Sequence, residues 1–149
     1  MQINRIDAAL SVAPQLSPAD MAELKRQGFG AVVCNRPDGE EPGQPNFAEI
    51  AKAAEAAGLV ARYLPVTPGE FRDEDAARFA GMLRDLPGPV MAYCRTGTRS
   101  ATLWSLGAAG ERTLADILAA TKSAGYDLDG LAARIAQAGH HAAPSGDGQ

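Results

Sequence analysis

The sequence predicts a single α/β domain over residues 1–139, built on a parallel sheet of about four strands with helices on both faces. Three observations carry this. Short continuous apolar runs recur along the chain, Ala31-Val32-Val33-Cys34 being the clearest, and such runs suit strands buried on both faces. Segments of helical spacing separate them, so strand, connector and helix repeat about every 30 residues, the βαβ unit with its right-handed crossover. The third observation is local. The run Pro89-Val90-Met91-Ala92-Tyr93 leads into Cys94-Arg95-Thr96-Gly97-Thr98-Arg99-Ser100, and Ala101 to Leu106 behind it is helix-forming.

Taken in order, Met1 to Val12 carries Ile3, Ile6, Leu10 and Val12, enough for one short strand. Ser17-Pro18-Ala19-Asp20 reads as a helix start: a capping hydroxyl, then Pro at the first helical position and an acid at the third. That helix ends at Gly28 or Gly30, and Ala31–Cys34 follows as a buried strand. Asn35 to Pro45 is a polar loop. Asn46 caps a helix whose inner face holds Phe47, Ile50 and Ala54, and Gly58 stops it before a strand from Leu59 to Leu64. After the loop Thr67–Phe71, a helix from about Asp73 to Leu86 places Ala76, Phe79, Ala80 and Leu83 on one face. The helix behind Cys94 is apolar on most sides and is expected at the centre. Thr113 caps another helix, with Leu114, Ile117, Leu118 and Thr121 on its inner face, and Gly125 ends it; Leu128, Leu131, Ala132 and Ile135 mark a last one. From residue 140 to 149 the chain is expected to be a flexible tail.

Composition narrows the function. A formal charge of −4 leaves no basic footprint for nucleic acid. No apolar run approaches a membrane span, and the N-terminus lacks a basic-then-apolar signal. The two cysteines, Cys34 and Cys94, make no disulfide framework, and a reactive thiol needs a reducing compartment, so the cytoplasm is expected. His140 and His141 lack a third ligand, so neither a metal nor any other cofactor is expected.

Cys94 is the chemical centre. Loop N–H groups and a helix start converge on it, and Arg95 and Arg99 add two cations within five residues. This setting favours a thiolate and an oxyanion beside it. Arg99, closing the loop at the helix start, is the expected clamp, since its planar fork grips two oxygens at once. Arg95 either meets the substrate or is a solvated cation. Thr96, Gly97 and Thr98 supply the loop that cradles it.

Cys-x-x-Gly-x-Arg-Ser resembles the anion-binding loop of cysteine-dependent phosphatases, but is one residue shorter than Cys-x5-Arg; Ser100 stands where that arginine would fall. Cys-x4-Arg is the length associated with rhodanese-type sulfurtransferases. Together with Pro14-Gln15-Leu16-Ser17-Pro18, Asn35-Arg36-Pro37-Asp38-Gly39-Glu40-Glu41, Pro65-Val66-Thr67 and Gly88-Pro89-Val90, the loop is similar to the phosphatase-like domain of the beta-lactamase hydrolase-like proteins. That family is labelled phosphatase or sulfur transferase. The resemblance implies a three-layer cysteine-phosphatase-like fold. It also supports a Ser100 hydroxyl donating to the Cys94 thiolate, where the competing role is an ordinary first-turn hydroxyl.

In open parallel sheets ligands bind at the carboxyl ends of the strands, which directs attention to the loops after Cys34 and Leu64. In the first, Arg36 and Asp38 either pair to brace the site or are solvated. The second is where a phosphatase of this kind usually carries an acidic Asp, but the first Asp is Asp73, which reads as a helix cap. Glu70 is the carboxylate available there. Cys34 either resolves a Cys94 persulfide or is an inert strand cysteine. Sulfite leaves thiosulfate without needing a proton, so the short loop and the missing Asp point to sulfurtransferase activity through a Cys94 persulfide. The expected partners are a small sulfur oxyanion, an acceptor thiol and a sulfur-oxidising enzyme. The alternatives are a protein-tyrosine- or dual-specificity-like phosphatase taking phosphoesters through a phosphocysteine, and a non-catalytic persulfide carrier or anion-sensing module.

Overall fold

The structure, a computed structural model, describes the backbone of residues 1–142 and the side chains of 1–140. Five strands form one sheet: β1 (Asn4–Arg5), β2 (Leu10–Ala13), β3 (Ala31–Cys34), β4 (Val60–Tyr63) and β5 (Val90–Tyr93). Their spatial order is β1-β2-β5-β3-β4, with β2, β5, β3 and β4 parallel and β1 antiparallel on β2. The expected parallel sheet is present, with one addition. The single first strand of the sequence reading is two. Asp7 splits it, its carboxylate accepting the N–H groups of Ala9 and Leu10 at 2.9 Å each, a turn that folds β1 back along β2.

Among the described residues six α-helices follow the expected pattern: α1 (Asp20–Arg26), α2 (Phe47–Ala57), α3 (Asp73–Asp85), α4 (Thr98–Ala108), α5 (Leu114–Ser123) and α6 (Ala132–Ala142). Asn46 and Thr113 cap α2 and α5 by accepting the N–H groups of Glu49 and Asp116. Asp20 reaches back to the Ser17 N–H at 2.8 Å. Asp73 is not a cap; Arg72 occupies that position, and Asp73 opens the helix while pairing with Arg134 at 2.9 Å. Helix α6 runs through Ala142, three residues into the expected tail, and 143–149 lie outside the described residues.

Helices α1 and α2 cover one face of the sheet, where Met21, Leu24, Ile50 and Ala54 pack with Val32, Met91 and Tyr93. The other face meets α3 to α6 through Phe79, Leu103, Ile117 and Ile135, packed with Val33, Val90 and Ala92. Strand β5 divides its side chains strictly between the two clusters, as the period of a pleated strand requires. Because β3 leads to α2 on one face and β5 to α4 on the other, the loops after these adjacent strands part and leave a crevice. This is the switch point of an open parallel sheet.

The packing dictates the effect of emptying it. Phe79 is fully buried between α3 and the sheet. Phe79→Ala is expected to destabilise the fold by about 3–5 kcal/mol, read as a lower urea midpoint at unchanged slope. A loss well under 1 kcal/mol would mean that the core relaxes around the gap.

Candidate active site

Cys94 follows β5 directly and is 1% exposed. Its Sγ accepts the Gly97 N–H at 3.1 Å, so the loop wraps back onto the sulfur within three residues. Gly97 has φ 98°, a left-handed conformation that lets the chain turn from the loop into α4. It is glycine for a second reason. A Cβ there would run into the Tyr126 hydroxyl. That hydroxyl donates to the Thr96 carbonyl at 3.0 Å and accepts from the Asn4 amide at 2.8 Å, so a tyrosine beyond α5 braces the loop. Burial raises the Tyr126 hydroxyl above its ordinary titration range and keeps it a donor.

Arg99 is buried, but its fork is occupied. Nη1 and Nη2 donate to the two Glu40 oxygens at 2.7 and 2.8 Å, and Nη1 also reaches the Val66 carbonyl at 3.0 Å. Glu40 Oε1 is shared with Arg36 Nε at 2.8 Å, while Arg36 Nη2 donates to Glu41 at 2.8 Å and Nη1 to Gln15 at 3.0 Å. Arg36 therefore braces the site, though not through Asp38. Asp38 accepts the Phe47 N–H at 2.8 Å, leaving the two glutamates, further along the same loop, to neutralise the buried guanidinium. Hydrogen bonds from Arg99, then Arg36, pull the Glu40 carboxyl from 4.5 to about 2. Arg36 also lowers Glu41.

Ser100 gives its proton to a partner other than the sulfur. Its hydroxyl donates to Asn35 Oδ1 at 2.7 Å, and a hydroxyl has one proton to give. Asn35 in turn donates its side-chain amide to the Leu64 carbonyl at 2.9 Å and its backbone N–H to the Tyr93 carbonyl at 2.8 Å. Ser100 thus pins the start of α4 to the ends of three strands. Cys34 lies in the cluster on the α1–α2 face, its Sγ 3.2 Å from the Arg36 carbonyl, and burial raises its thiol.

An open cleft of about 660 Å³ lies over this arrangement. Arg36, Arg95, Arg99, Glu40 and Glu41 line it with Thr96, Thr98, Pro68, Gly69 and Phe71. Glu70 is exposed on the same loop as Phe71 and does not line it. Both lining carboxylates are held ionised, so neither offers a proton.

A cysteine at the end of a central parallel strand, a loop folded onto its sulfur and an arginine opening the next helix together define a cysteine-phosphatase-like fold. The chain belongs to the family described as "Beta-lactamase hydrolase-like protein, phosphatase-like domain", whose model matches residues 2–111. A beta-lactamase hydrolase-like protein of Agrobacterium fabrum (strain C58) is 39% identical over 130 residues, covering 86% of this chain but 30% of that protein. The chain therefore spans about a third of that relative's length. A phosphatase candidate from Neisseria meningitidis Z2491 is 36% identical, with a TM-score of 0.84 over 93% of this chain and 99% of that one. The core catalytic domain of the PP-IP phosphatase SIW14 from S. cerevisiae, solved with citrate, shares the fold at 10% identity, with a TM-score of 0.66 over 91% of this chain and 83% of that one. Among the described residues no helix is long and apolar enough to cross a membrane.

Two outcomes test this geometry. Gly97 and Gly125 both have positive φ, 98° and 101°, but only Gly97 faces a side chain. Alanine at either should cost about 1–2 kcal/mol of backbone strain, and Gly97→Ala more, by thermal denaturation. Equal losses would mean that Tyr126 moves aside freely. Glu40 has a depressed folded value, so its stabilising contribution is full above about pH 4.5 and lost as pH falls toward 2. Glu40→Gln should remove that part of the acid sensitivity, measured by urea unfolding at pH 7 and pH 3. An unchanged acid loss would contradict the Arg99–Glu40 assignment.

Proposed function

We propose that the chain is a cysteine-based phosphatase acting on phosphoesters with weakly basic leaving groups. The observation that carries this reading is the Cys94 loop, closed on its own sulfur and joined by Arg99, in a chain of a phosphatase-like family. The Cys94 thiolate attacks phosphorus, the S–P bond forms, and the P–O bond to the leaving group breaks with its electron pair. Water then attacks phosphorus, the S–P bond breaks, and orthophosphate and the thiolate are released. Loop N–H groups and the remaining donors of Arg99 stabilise the equatorial oxygens.

The leaving group sets the limit. A general acid normally supplies about 10²–10⁴-fold. Glu40 and Glu41 are ionised and Glu70 stands outside the lining, so substrates such as aryl phosphates, which need little protonation, suit the site.

Sulfur transfer from thiosulfate is the second reading. The same lack of a proton donor favours it, since sulfite leaves as an anion, and so does the spacing of four residues between Cys94 and Arg99. It takes second place because the family and the Neisseria structure carry the phosphatase description.

An activated aryl phosphate is expected to turn over and to leave a phosphoryl adduct on Cys94 in quenched intact-mass spectra, with both lost in Cys94→Ser. Thiosulfate is expected to add nothing. A sulfur-atom mass increase reversed by cyanide, without aryl phosphate turnover, would replace phosphatase by sulfurtransferase. A stoichiometric adduct that no free acceptor removes would instead identify a carrier module.

A further inference from the structure

We propose that Arg95 and Thr98 form a second oxyanion subsite in the same cleft, selecting small phosphomonoesters that carry a second anionic group. This rests on the phosphoester reading above.

The charges of the cleft lead to it. Its lining holds three guanidinium groups and two carboxylates. Glu40 is divided between Arg99 and Arg36, and Glu41 is taken by Arg36 at 2.8 Å. Arg95 Nε stands 4.0 Å from Glu41, beyond hydrogen-bonding distance, and its side chain is 66% exposed. Arg95 faces Glu41 only across this longer gap, so it is the least committed of the three guanidinium groups.

A hydroxyl accompanies it. Thr96 donates its side-chain proton to Thr98 Oγ1 at 3.0 Å, which leaves the Thr98 proton available to an acceptor from the cleft. Thr98 is exposed and, like Arg95, lines the opening.

Size completes the case. A phosphoryl group displaces only a few waters at about 30 Å³ each, a small part of the roughly 660 Å³ present. The remaining space has Pro68 and Phe71 as apolar lining for the body of the substrate. One loosely held guanidinium suits one further anionic group, which favours a compact substrate over a run of acidic residues on a peptide.

The test compares 4-nitrophenyl phosphate with 3-carboxy-4-nitrophenyl phosphate, both with weakly basic leaving groups. Wild-type chain should prefer the carboxylated compound about ten-fold or more in kcat/KM, chiefly through KM, as a charge-assisted contact requires. Arg95→Gln should collapse that ratio toward one, Arg95→Lys should keep part of it, and 0.5 M salt should reduce it. A ratio near one in wild type, or one that survives in Arg95→Gln, overturns the subsite. Failure to turn over either compound overturns the phosphoester reading instead. In that event calorimetry on Cys94→Ser decides the subsite alone. Tighter binding of the carboxylated compound that is lost on adding Arg95→Gln supports it, and equal or undetectable binding of both overturns it.

Discussion

The site depends on one carboxylate. Glu40 accepts from Arg99 on α4 and from Arg36 after β3, and thereby joins its loop to a helix start 59 residues away. A buried guanidinium without partners would cost several kcal/mol in lost hydration, and Arg36 is 2% exposed. The loop from Arg36 to Glu41 escapes that cost only by folding back so that both glutamates face the cation. Arg99 is then presented in one orientation, and the cleft acquires its floor. The pair is better described as an alignment device than as a source of net stability, because ion pairs of this kind roughly break even against apolar packing.

A second set of neutral hydrogen bonds works alongside it. Asn35 ties β3, β5 and the end of β4 together and receives Ser100, so the first turn of α4 is fixed to the sheet independently of the charges. With the helix start held there and the loop braced by Tyr126, the Cys94 sulfur meets the Gly97 N–H without a rearrangement.

The alternation of apolar runs and amphipathic helices made the sheet legible, because strands buried on both faces leave few polar residues in the runs. Cys94, its loop and the helix behind it were legible for the same reason. What escaped was whatever depended on contacts distant in sequence. Glu40 sits in a charged loop of the kind that is ordinarily solvated, and nothing local distinguishes it from Asp38. Tyr126 gave no signal beyond being an aromatic residue after a helix. The family resemblance supports a Ser100 hydroxyl donating to the Cys94 sulfur, and nothing local to Ser100 points to the amide 65 residues away that receives its proton. The division of the first strand did have a signal, since Asp7 before two alanines is the form of a side-chain-capped turn. The sulfurtransferase reading leaned on loop length and a missing Asp; the family and the structural relatives favour the phosphatase description.

The bond from Asn4 to Tyr126, and on to Thr96, spans 122 residues and then 30. Strand β1 and the turn after α5 must both be in position before the Cys94 loop has its full support. During synthesis the cysteine therefore emerges well before the residue that steadies its loop. Contacts this distant in sequence form late, because chain closure has to come first. The brace on the Cys94 loop is complete only once residues 4, 96 and 126 have come together.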